Sequence, residues 1–108
     1  MRKENKSENA KDIFAEIFID EKNLKENGIF YPIKLEYYKI KDEKDEYGVE
    51  VVKKEYTEKY TNIEKEEIIK ITKEEELIEN IIYKLKENLV TPFAIKDVFE
   101  ENGFIEEN

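Results

Sequence analysis

Apolar positions change their period once along this chain. Up to residue 72 they recur mainly at every second position, the spacing of strands with one buried face. Beyond it they recur three and four apart, the spacing of helices. The clearest alternation lies between Ile29 and Lys41, where Ile33, Leu35 and Tyr37 alternate with Lys34, Glu36 and Tyr38. Pro32 stands near the start of this strand, where a missing N–H is tolerated. Ile40 falls on the opposite parity, which a bulge or a two-sided strand explains. The Asp-containing DEKDE at 42–46 predicts a turn, and YGVEVVKKEY at 47–56 the returning strand, with Tyr47, Val49 and Val51 on one face of a hairpin. Residues 57–72 supply a connection and a further strand. There Ile63, Ile69 and Ile71 share a parity that Lys65 and Glu67 interrupt, so the end of the strand is the part expected to be buried.

Upstream, residues 13–19 (IFAEIFI) fit two patterns. As a strand they put Ile13, Ala15, Ile17 and Ile19 on one face, and as a helix they group Ile13, Phe14, Ile17 and Phe18. The β-branched and aromatic content favours the strand. Residues 20–28 read as a loop or a single helical turn closed by Gly28, and residues 1–11 as a flexible polar arm preceding one domain over 12–108.

Downstream, Thr72-Lys73-Glu74-Glu75 has the form of a capping box, and Leu77, Ile78, Ile81, Ile82 and Leu85 line one helical face. Lys84 and Lys86 suit the last turn, and Asn88 is an acceptable stop. Thr91-Pro92 opens a second helix, with Thr as N-cap and Pro at the first position. Ala94, Ile95, Val98 and Phe99 form its apolar face and Gly103 ends it. Strands first and helices last is the α+β order: a small antiparallel sheet of three to four strands, covered on one face by two C-terminal helices.

Composition then narrows the chemistry. The 108 residues include neither Cys nor His nor Trp, and Ser occurs once, as Ser7. That removes disulfides, thiol and Ser-His nucleophiles, Cys-based zinc sites and the usual acid–base group near neutral pH. Three glycines, at 28, 48 and 103, cannot form a phosphate loop or a dinucleotide fingerprint. The basic, polar start is not a secretory signal, and the apolar run at 13–19 is too short to span a bilayer. The expectation is a cytoplasmic protein without cofactor or metal, and not an enzyme.

The block YYKI…DEYGVEVVKKEY…IIKIT…LIENIIYKLKENLVTPFAIKDVFEE resembles a family of small uncharacterised proteins from low-GC Gram-positive bacteria. The residues that carry the likeness are Tyr37, Tyr38, Tyr47, Gly48, Glu50, Tyr83, Asn88, Thr91, Pro92, Asp97 and Val98, over roughly 35–101. As a domain of unknown function it implies no activity and no catalytic residue.

Charge and aromatic content indicate where a partner would bind. The acidic turn at 42–46 lacks the ligand spacing and central Gly of a calcium loop and reads as a solvated tip. With 23 Glu in the chain, paired carboxylates arise at any spacing, and they read as surface charge. Tyr37, Tyr38, Tyr47 and Tyr56 fall on the predicted sheet, and one helical layer covers only one face, so some rings are expected at a protein interface. Residues 97–108 sum to −5 with no Lys or Arg, which makes Glu100, Glu101, Glu106 and Glu107 the acidic candidates for a partner with a basic surface. A net charge of −9 with a single Arg argues against direct nucleic-acid binding. The expectation is a non-catalytic acidic protein–protein interaction module, regulatory or inhibitory in role. The alternative is a nucleic-acid mimic of phage or mobile-element type, occupying the basic groove of a nuclease or DNA-binding protein. An exposed edge strand would also admit a homodimer by sheet extension.

Overall fold

In the computed structural model, residues 9–19 and 31–101 are described. Strands β1 (Ala10–Ile19), β2 (Ile33–Lys41), β3 (Tyr47–Tyr56) and β4 (Thr61–Thr72) precede helices α1 (Glu75–Glu87) and α2 (Ile95–Glu101). The strands form one antiparallel sheet in the order β1-β2-β3-β4, so every strand pairs with its neighbour in sequence. Residues 13–19 are therefore strand. β1 starts at Ala10, inside the span expected as an arm, while residues 1–8, 20–30 and 102–108, with Gly28, Gly103, Glu106 and Glu107, lie outside the described residues.

The odd-numbered face of the hairpin is the buried one. Leu35, Tyr37, Val49 and Val51 pack with Ile78, Ile81, Ile82 and Leu85 of α1, Val90 of the corner, and Ile95 and Phe99 of α2. The Tyr37 hydroxyl, buried at the middle of the sheet, donates to the Val90 carbonyl at 2.9 Å, which fixes the corner between the helices over β2. That corner closes with paired bonds from the Leu89 N–H to the Lys86 carbonyl and from the Val90 N–H to the Leu85 carbonyl. Leu89 holds the left-handed conformation (φ 52°) that such a helix end needs. No described helix is long and apolar enough to cross a membrane.

Several local expectations change. β2 itself is regular, so Ile40 is the buried residue of a two-sided strand, and the bulge lies on β1, between Ile13 and Ala15. On β4 the register slips between Val49↔Ile68 and Tyr47↔Thr72, placing extra residues opposite Gly48. Ile63, in regular register opposite Lys54, is exposed on the face away from the helices, and past the slip Ile69 is exposed while Ile68 and Ile71 pack on the core. The capping box does not form. The Thr72 hydroxyl accepts from the Glu74 N–H at 3.0 Å, α1 has Glu74 as N-cap without a side-chain bond, and the Glu75 carboxylate goes to Lys39. At 2.6 Å the Lys39 ammonium offers that carboxylate a full opposite charge, where the capping box offers only a backbone N–H. Leu77 is exposed, one position outside the buried stripe. The Thr91-Pro92 start gives a turn closed by the Ala94 N–H on the Thr91 carbonyl, and regular helix begins at Ile95.

Candidate functional site

Strand alternation divides the partner candidates between two faces. Tyr37 and Tyr47 lie beneath the helices in the core, and burial pushes the Tyr37 phenol well above its ordinary pKa. Neither ring is part of a surface. Tyr38 and Tyr56 take the opposite face, away from α1 and α2. The register aligns that face in rows: Phe18, Lys34, Lys54 and Ile63; then Glu16, Glu36, Val52 and Lys65; then Ile13, Tyr38, Glu50 and Glu67.

Most of its charges are paired within the face. Glu36, nearly buried, accepts from the Tyr38 hydroxyl at 3.1 Å and lies 3.3 Å from the ammonium groups of both Lys34 and Lys54. Burial pushes the Glu36 carboxyl up, but these three donors outweigh it and hold it below the ordinary carboxylate value. Lys34 also meets Glu16 at 3.2 Å, while Lys11 bridges Glu50 and Glu67 at 3.3 and 3.5 Å. Burial and the bond to Glu36 raise the Tyr38 phenol, so its hydroxyl stays protonated and committed to that carboxylate. Tyr56 leans on Phe18 with ring centroids 6.2 Å apart. A shallow groove of about 380 Å³ at the Lys11 end is lined by Lys11, Glu50, Lys65, Glu66 and Glu67. All five are charged, a lining unlike the apolar walls of a small-molecule site. Among the described residues no three acidic side chains form a group that could hold a metal ion.

The helical side differs in charge. Across residues 73–101 there are eight Asp and Glu against four Lys, whereas Lys11, Lys34, Lys54 and Lys65 balance Glu16, Glu36, Glu50 and Glu67 on the open sheet face. Lys39 rises from the sheet between the Phe14 and Tyr47 rings, 5.5 and 5.9 Å from their centroids, to hold Glu75 at 2.6 Å and Glu79 at 2.7 Å. That pins the start of α1 and leaves the rest of the acidic surface outward. On α2, Ile95 and Phe99 are buried while Lys96, Asp97, Glu100 and Glu101 face solvent. Glu100 and Glu101 are thus surface acids as expected from sequence.

One residue of this side escaped the sequence reading. Phe93 is 93% exposed, the most exposed large apolar side chain among the described residues. It follows buried Pro92 in the turn before α2, and the spacing puts it on the same outward side as Asp97 and Glu100. Its neighbours hid the signal. Beside Ala94 and Ile95 it looks like one more core residue, and only the phase of the following turn of helix turns it outward.

A family model described as "Family of unknown function (DUF6514)" matches residues 4–102, and the chain belongs to that family. No curated protein and no solved structure matches it.

Proposed function

We propose that this member of the family is a non-catalytic interaction module. Its working surface is the acidic helical side, anchored by Phe93 and flanked by Asp97, Glu100 and Glu101. The partner is a protein that offers an apolar pocket within a basic surface. The observation that carries this reading is the 93% exposure of Phe93 on a turn held by buried Pro92 and the Thr91–Ala94 hydrogen bond. A large aromatic on an ordered turn loses little backbone freedom on binding and is the residue type that dominates interface energies. The charge division supports the same side. The open sheet face carries equal numbers of acids and lysines, while the helical side keeps an acidic excess able to steer a basic partner. A chain without His or Cys and with its Tyr38 phenol locked to Glu36 offers little for turnover.

In a cell this is a cytoplasmic regulatory or inhibitory role, and the Lys-, Glu-, Ile- and Asn-rich composition suits a low-GC Gram-positive host or its phages. The nucleic-acid mimic uses the same acidic side without needing the aromatic ring, and the charge excess is what favours it. Capture by the tagged chain from nuclease-treated lysate, eluted in rising salt, tests both. The proposal expects a stoichiometric protein partner that elutes as salt screens the acidic side, and a loss of about tenfold or more in affinity with Phe93→Ala. Equal capture by Phe93→Ala together with competition by duplex DNA replaces it with mimicry. No stoichiometric partner overturns both.

A further inference from the structure

The two edges of the sheet are guarded unequally. β4 carries Glu64, Lys65, Glu66, Glu67 and Lys70, and its pairing line is broken by the slip opposite Gly48. Charges and irregularities of this kind prevent further strands from adding. β1 is irregular only at Phe14, and from Ala15 to Ile19 it runs straight with one charged residue, Glu16. Ala15 and Ile17 lie half-buried at the outer margin of the core, and Phe18 is 54% exposed on the open face. We infer that the Ala15–Ile19 edge is a self-association surface. A second copy of this chain adds its own β1 antiparallel, giving one eight-stranded sheet with both helical layers on the same side.

The register follows from symmetry and charge. A closed two-fold pair of antiparallel strands sets residues of the same face opposite each other, so allowed registers differ in steps of two. Centred on Ile17, the pair sets Ile17 against Ile17, Ala15 against Ile19 and Glu16 against Phe18, using all five regular residues with no charge opposite another charge. Moving the centre to Glu16 sets two carboxylates face to face and runs the pairing into the bulge at Phe14. Moving it to Phe18 leaves three pairs from the described strand. In the central register Glu16 keeps its own neutralising partner, Lys34 at 3.2 Å, and Ala15 and Ile17 gain cover. This surface is separate from the acidic side around Phe93, so either can fail without the other.

The chain has no cysteine, so single cysteines report the register directly. Directly opposed residues have Cα atoms about 4.5–5.5 Å apart, inside the disulfide range, while diagonal ones lie roughly 7–8 Å apart, outside it. Mixing Glu16→Cys with Phe18→Cys under mild oxidation is expected to give the mixed dimer at least about fivefold faster than either variant alone. Equal rates or no cross-link overturn the register. Sedimentation gives the second readout, since both positions are exposed and neither variant should disturb folding. The mass is expected to rise from 13.0 kDa toward twice that value with concentration, and further as salt goes from about 0.05 to about 0.5 M, because two chains of charge −9 repel less when screened. Partner capture through the acidic side weakens with salt, the opposite sign. Phe18→Glu, which opposes Glu16 twice in the dimer, should weaken association by about tenfold, and Phe18→Lys should strengthen it. A monomer at all concentrations up to roughly 1 mM, or equal effects of the two substitutions, overturns the proposal.

Discussion

Gly48 illustrates how much one backbone position can decide. A Cβ placed there would stand 2.3 Å from the Ile68 carbonyl oxygen and 2.7 Å from the Ile69 Cα, both main-chain atoms that cannot swing aside. The close approach is what lets β4 slip its register. In that slip Lys70 takes a left-handed conformation (φ 58°) and brings its ammonium to Asp42 at 3.2 Å and Glu46 at 3.7 Å. Asp42 in turn accepts from the Lys44 and Glu46 N–H groups at 2.9 Å each, so the acidic turn expected to be a solvated tip is organised around a nearly buried carboxylate. Those backbone donors, and Lys70 behind them, hold the Asp42 carboxyl below its ordinary value. Gly48→Ala should therefore cost about 2 kcal/mol or more in urea unfolding. A loss below about 0.5 kcal/mol would mean that β4 moves away freely. None of this was legible in the sequence. Gly48 reads as a β-strand residue, and a slip on the partner strand depends on a contact with a residue some twenty positions away.

At the scale of elements, the sequence was most informative where burial sets the period. The alternation through Ile33, Leu35 and Tyr37, repeated in Tyr47, Val49 and Val51, placed the hairpin and its inner face correctly, and Ile78, Ile81, Ile82 and Leu85 placed α1. Parity also decides the tyrosines. Tyr37 continues the buried row, so it belonged to the core from the start, and its hydroxyl found a carbonyl that only the helix corner could supply. Element ends were less legible because competing polar partners set them. Glu75 could reach back to Thr72 or out to Lys39, and only the fold brings Lys39 close. The bulge at Phe14 left no mark at all. Since α1 seals the sheet, Ile81→Asp should abolish the cooperative melting transition by placing an unpaired carboxylate in the core. A normal transition followed by circular dichroism would show that α1 does not hold the sheet.

For the whole molecule, pH combines two opposing terms. At neutral pH the charge of −9 repels itself, and that strain eases as pH falls toward the pI of about 4.7. Glu36, Asp42 and Glu75 act in the other direction, each held below its ordinary value of 4.5, 3.8 and 4.5 respectively. Carboxylates with a lowered folded pKa stabilise fully above the unfolded value, and that stability is lost as pH falls through the folded value. The melting temperature should thus rise slightly from pH 7 to about pH 5 and fall below about pH 4. Glu36→Gln combined with Glu75→Gln should make the acid limb shallower. An unchanged acid limb in that double variant would remove these carboxylates from the account.

The meander also has a consequence for how the protein is made. Strands that pair only with their neighbours in sequence can zip together in order as they leave the ribosome, with only short links to close between β2 and β3 and between β3 and β4. The inner face of that sheet stays bare until α1 and Phe99, the buried ring of α2, have followed. Synthesis therefore passes through a period in which a four-stranded sheet with an open apolar face is present and its cover is not. Anything that delays the emergence and docking of residues 73–99 would prolong the interval in which nascent chains can stick to one another.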